Sequence, residues 1–136
     1  MEVLTFNTKY DLPVCLALGF FDCVHKGHSA LIESTKTLAK EYEARACVMT
    51  FSDNPYPFLS KGEKLIFTFD ERLKLFERAG VEIVFAVPFT KELMQTSKND
   101  FLEFIVSRLN VKGIVCGYDY KFGKGAEGDT EYLSRF

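Results

Sequence analysis

The sequence predicts an α/β protein built on an open parallel sheet, and three observations lead there. Short continuous apolar runs of strand length recur along the chain. Between them lie segments whose apolar residues fall at helical spacing. The two kinds alternate from end to end, which is the pattern of strands joined by right-handed helical crossovers. Residues 14–20 (VCLALGF) read as a fully buried strand, because the run is continuous rather than alternating. Residues 28–42 carry Leu31, Thr35, Leu38 and Tyr42 on one helical face. Residues 46–51 (ACVMTF) give the next strand, followed by a loop from Ser52 to about Gly62 containing Pro55 and Pro57.

Thr68-Phe69-Asp70-Glu71 has capping-box spacing and should start a helix. Leu73, Phe76 and Ala79 form its stripe, and Gly80 suits a left-handed stop. Residues 82–87 (EIVFAV) are a third strand, then a short helix or turn follows Thr90. Ser97-Lys98-Asn99-Asp100 marks another helix start, with Phe101, Phe104, Ile105 and Leu109 on the apolar face. Residues 111–116 (VKGIVC) give the fourth strand, and EVLTF near the N-terminus adds one at an edge.

With 136 residues, 47% hydrophobic and 26% charged, the chain has the length and composition of one globular domain. A net charge of −2 with no basic run argues against a dedicated nucleic-acid binder. The N-terminus has neither the basic nor the apolar region of a signal peptide, and no apolar stretch approaches membrane-spanning length. Cys15, Cys23, Cys47 and Cys116 form no C-x-x-C pair, and three of them lie in apolar runs. A reduced, cytoplasmic protein is expected.

Ligands of open parallel sheets bind outside the carboxyl ends of the strands. The segments that follow strands are GFFDCVHKGH, FSDNPYPF and GYDYKFGKG, all rich in Gly, Asp and aromatics. The chain's two histidines, His25 and His28, flank Gly27 at a strand-to-helix junction. Together with Cys23 they offer three zinc donors in six residues, but a structural zinc site wants four at recognised spacing. Phosphate binding accounts for each residue better. A helix N-terminus presents free N–H groups and a positive dipole end, Gly27 permits close approach, and two imidazoles can donate to phosphate oxygens. Asp22 would orient an imidazole, fix the helix start or contact ligand hydroxyls.

Phe51, Tyr56, Phe58, Tyr120 and Phe122 could line a slot for a flat ring, or could pack the long loops that carry them. Gly123 to Gly128 matches G-x-G-x-x-G, but it follows no strand directly, and no acidic residue stands about 20 positions on. It reads as a flexible glycine turn.

LGFFDCVHKGH (18–28) resembles the GxFDGVHxGH segment of the bacterial FAD synthetase family, a variant of the HxGH motif of nucleotidyltransferases. The resemblance continues in order through VMTFSDNP (48–55), AGVEIVFAVPFTKE (79–92) and GIVCGYDYKFGKGAEGD (113–129). It implies a Rossmann-like nucleotidyltransferase fold with helices on both faces of an open parallel sheet. The implied activity is FMN adenylyltransferase, with FMN and ATP–Mg²⁺ as substrates and FAD and pyrophosphate as products. By the same resemblance His25 and His28 are catalytic, and Gly19, Phe20, Asp22, Gly27 and Asp119 join them around ATP. Phe51, Asn54, Pro55, Phe58 and Phe122 fall to the flavin, and no residue is assigned to a protein-bound metal. Cys23 stands where the family usually has glycine, and Ser52-Asp53-Asn54-Pro55 where it has an E-P-H-P-like run. The family's downstream S-S-T-x-I-R-like motif and riboflavin kinase domain are absent from residues 1–136. The chain is thus expected to be a C-terminally shortened adenylyltransferase domain of a larger, bifunctional enzyme. The alternatives are a non-catalytic nucleotide- or flavin-binding module and a related adenylyltransferase with another phosphate acceptor.

Overall fold

A computed structural model describes residues 1–18, 26–51, 69–88 and 90–116, with the backbone alone at 26–28, 91 and 94. Its strands are β1 (Glu2–Thr5), β2 (Tyr10–Leu18), β3 (Arg45–Phe51), β4 (Ile83–Val87) and β5 (Leu109–Cys116). Its helices are α1 (Lys26–Glu41), α2 (Phe69–Arg78), α3 (Lys91–Met94) and α4 (Lys98–Arg108). The five strands form one sheet in the order β1-β4-β3-β2-β5, and every pairing is parallel. The predicted fold class and the edge position of EVLT are both found.

Alternation along the strands divides the core into two faces. Leu16, Leu18, Cys47, Met49, Phe85 and Val87 turn to one side, where Phe101, Leu102 and Ile105 of α4 cover them. Ala17, Val48 and Val84 turn to the other, under Ile32 of α1 and Phe76 of α2. The lower part of that second face is closed by Cys15, Ala39 and Ala46. Helices on opposite faces follow from the topology. The chain steps from β2 to β3 to β4 in one direction through α1 and α2. It then returns past β2 to β5 through α3 and α4, and a crossover of unchanged hand in the reverse direction must use the other face.

α1 and α2 end alike. Glu43 takes a left-handed conformation at φ 53°, and the Ala44 N–H donates to the Ala39 carbonyl at 2.8 Å. Gly80 does the same at φ 88°, with the Val81 N–H donating to the Phe76 carbonyl at 3.0 Å. The predicted glycine stop is therefore observed, and Lys36 adds a hydrogen bond from its ammonium to the carbonyl of Ala79, just past the end of α2, at 3.0 Å. Ser97 caps α4, its hydroxyl accepting from the Asp100 N–H at 3.1 Å. α2 begins at Phe69, one residue after the expected cap, while Thr68 itself lies outside the described residues.

Four expectations need correction. β2 starts at Tyr10, earlier than the apolar run suggests. Pro13 is tolerated there because β3 pairs only from Val14 onward, and the β5 ladder shifts register between Tyr10 and Pro13. Tyr42 lies past the end of α1 and is exposed, so the buried stripe is completed instead by Ile32 and Ala39. Leu109 is the first residue of β5 rather than the last of a helical face, because the backbone turns extended there at φ −125° and ψ 146°. The buried stripe of α2 also contains a residue that hydrophobicity passes over, Arg72.

Candidate functional site at the carboxyl edge of the sheet

β2 is where the winding reverses, with β3 on one side and β5 on the other. Leu18, the last residue of β2, pairs with Met49 of β3 and with Cys116, the last residue of β5. Segments 19–25, 52–68 and 117–136 therefore set out from three neighbouring strands at one edge. That edge, between β2 and β5, is the switch point at which doubly wound sheets bind ligands.

α1 follows the first of these segments at once. Gly27 and His28 are the second and third residues of the helix, within the turn whose N–H groups have no intrahelical acceptor. The first turn carries no acidic side chain, whereas that of α2 has Asp70 and Glu71 and that of α4 has Asp100. The positive end of the α1 dipole is left uncompensated by its own sequence, which suits an incoming anion. Gly19, Phe20, Asp22 and His25 lie outside the described residues, as do Asn54, Pro55, Phe58, Asp119 and Phe122.

Phe51 is described, and its ring is buried in the core on the α4 face at the carboxyl end of β3. Beside it is the polar cluster that the sequence reading missed. Arg72, only 1% exposed, reaches from the first turn of α2 to the end of β3. One terminal nitrogen donates to the Thr50 hydroxyl at 2.8 Å and the other to the Phe51 carbonyl at 2.9 Å. The ring of Phe69 covers the guanidinium, 5.5 Å from its centroid. A usable signal existed in the spacing: Phe69, Arg72, Leu73 and Phe76 stand at i, i+3, i+4 and i+7, so Arg72 occupies an apolar-face position.

The cysteines do not assemble a metal site among the described residues, where no three His, Cys, Asp or Glu side chains converge. Cys15 and Cys47 face opposite sides of the sheet. Burial pushes the Cys47 thiol up to about 12, so it stays protonated and behaves as a small apolar side chain. A cleft of about 360 Å³ between Lys9–Asp11 and residues 106–111 lies at the amino ends of β2 and β5. It is on the wrong edge of the sheet for the site.

α1 is held close to the sheet by Gly113. A Cβ there would sit 2.7 Å from Leu38 Cδ2 and 3.5 Å from Cys15 Sγ. Gly113→Val is expected to push α1 outward, lowering stability by about 1–3 kcal/mol. A urea titration should register that loss as a lower midpoint. An unchanged midpoint would show that α1 has slack against β5.

The family model described as FAD synthetase matches residues 7–136. The chain belongs to the FAD synthetase family. It is 33% identical over 136 residues to the bifunctional riboflavin kinase/FMN adenylyltransferase of Listeria monocytogenes, covering 98% of this chain and 43% of the relative. The corresponding Bacillus subtilis and Escherichia coli proteins are 32% and 30% identical, over 87% and 88% of this chain and 38% and 39% of theirs. The chain thus spans about two fifths of the length of these curated relatives. Among solved structures, a Streptococcus pneumoniae protein described as a macrolide-efflux protein superposes with a TM-score of 0.83 at 25% identity. That match covers 99% of this chain and 47% of the other. No helix among the described residues is long and apolar enough to cross a membrane.

Proposed function

We propose that this chain is the FMN adenylyltransferase module of a larger cytoplasmic enzyme, transferring AMP from ATP to FMN. A phosphate oxygen of FMN attacks the α-phosphorus of ATP, the bond to the β-phosphate oxygen breaks, and pyrophosphate leaves. FAD is the other product. Mg²⁺ enters with ATP as part of the substrate and offsets charge on the departing pyrophosphate. No covalent enzyme intermediate is required, so the protein's work is alignment and charge stabilisation.

In this reading the N-terminus of α1 receives the ATP phosphates. His25 and His28 donate to oxygens whose charge grows during transfer, and Gly27 leaves room for their approach. Gly19, Phe20, Asp22 and Asp119 complete the nucleotide side. Asn54, Pro55, Phe58 and Phe122 contact the flavin, with Phe51 supporting them from the core. The names of the relatives favour a riboflavin kinase domain as the covalent partner.

The observation that carries the reading is the family match across residues 7–136, which takes in all three segments leaving the sheet at the switch point. Titration with FMN, FAD and ATP–Mg²⁺, followed by flavin fluorescence, tests it. Saturable quenching by both flavins is expected. Folded protein that binds ATP but neither flavin would sink the FMN assignment in favour of another phosphate acceptor.

A further inference from the structure

We propose that the chain pairs with a second copy of itself through the amino edge of the sheet. The Glu41-Tyr42-Glu43 turn of each copy enters the cleft between Lys9–Asp11 and residues 106–111 of the other. The inference is independent of the FMN reading, because this edge lies opposite the one from which segments 19–25, 52–68 and 117–136 set out.

The turn is a fixed projection. Glu41 is the last residue of α1, and β3 begins two residues after Glu43. The Tyr42 N–H donates to the Leu38 carbonyl at 3.2 Å and the Glu43 N–H to the Lys40 carbonyl at 3.3 Å. Its backbone is thus ordered before any partner arrives, which lowers the cost of association. Tyr42 is 54% exposed, more than any other large apolar side chain among the described residues. Both flanking glutamates are exposed, and neither joins an ion pair among the described residues. An aromatic ring held out in water between two unpaired carboxylates is suited to a cationic, partly apolar recess.

The cleft is such a recess. Its volume of about 360 Å³ admits an aromatic side chain, and Val106, 43% exposed, supplies apolar lining. Arg108 spends Nε on the Phe6 carbonyl at 3.2 Å and lies over the Phe104 ring, which leaves its two terminal nitrogens uncommitted among the described residues. The Lys9 ammonium is likewise unpaired there. Asp11 opposes these two cations with one carboxylate, so the lining is net positive where the turn is negative.

Position allows the contact to be reciprocal. The turn leads into β3 and the cleft lies at the amino ends of β2 and β5, with β2 and β3 adjacent in the sheet. α1 and α4 cover opposite faces. A two-fold axis in the plane of the sheet, running across the strands beyond their amino ends, sets the α1 side of one copy against the α4 side of the other. Each turn then meets the partner's cleft, as an isologous pair requires.

Sedimentation velocity of the purified chain tests this. A weak dimer is expected, with a dissociation constant on the order of 10–100 μM, as suits a small interface. Raising salt from about 0.05 M to about 0.5 M should weaken it roughly ten-fold, because charge attraction is screened. Lys9→Glu and Glu41→Lys each place like charges in both contacts, and each alone should raise the dissociation constant about ten-fold or more. Mixed in equal amounts, the two variants should dimerise again, since each contact of the mixed pair unites opposite charges. Both side chains are exposed, and circular dichroism establishes that the variants are folded. A wild-type chain that stays monomeric across this range would overturn the proposal. So would reversals that dimerise like wild type, or a mixture that does not recover.

Discussion

His28→Ala is expected to lower the rate of FAD formation by about two orders of magnitude or more, the range seen when one charge-stabilising donor is lost. The expectation comes from position. His28 is the third residue of α1, in the only helix at the switch point whose first turn has no acidic side chain among the described helices of eight residues or more. Removing the imidazole leaves the helix N–H groups and the glycine approach in place, so binding of ATP should weaken less than turnover. Alanine is also the best helix former, so the helix itself should tolerate the change. The test is a steady-state assay of FAD production by the full-length protein, with a thermal melt as control. A large drop in kcat at unchanged melting temperature is the expected result. An unchanged kcat would take His28 out of the mechanism and leave the helix terminus and His25 to act without it.

The fold was readable because the strongest signals in the chain are also the ones that tertiary packing respects. β3 and β4 are buried along nearly their whole length, so their apolar runs give their limits to within a residue. Boundaries failed where another force decides. The start of β2 is polar and half-exposed, held by pairing with β5 rather than by burial, and no hydrophobic pattern reports that. The junction of α4 and β5 has no connecting loop, so a helical spacing count ran on through Leu109 into the strand.

The site was legible in a different way. Strand ends and their register locate the switch point, and topology alone brings the segments after Leu18, Phe51 and Cys116 to one edge. Arg72 was not legible, because a reading by hydrophobicity assigns arginine to the surface by default. Its burial depends on acceptors supplied by Thr50 and Phe51, which are 22 and 21 residues away in sequence. Gly113 was hidden for a related reason: only the approach of Leu38 from α1 shows that a side chain there would collide.

Phe85→Ala should be the most damaging single change to stability on the α4 face. Phe85 is fully buried in the middle of β4, between Leu4 of β1 and Met49 of β3. Its ring also stacks against Phe104 of α4, with centroids 6.1 Å apart. Truncation would remove this ring contact between sheet and helix and leave a cavity bounded by strand backbones that cannot collapse inward. Such a change costs about 3–5 kcal/mol. Against a total stability of about 5–15 kcal/mol, that is a large share. For a chain of 136 residues the corresponding fall in melting temperature is on the order of 10–15 °C, measurable by calorimetry. Phe85→Leu keeps most of the volume and should lose far less. The damage should reach function as well, because α4 runs without a break into β5, whose carboxyl end forms one wall of the switch point. Below its new melting point Phe85→Ala should therefore bind ATP more weakly than wild type, with Phe85→Leu in between. A melting temperature within about 3 °C of wild type would mean that α4 settles into the gap, since the loss at this site scales with the cavity left behind.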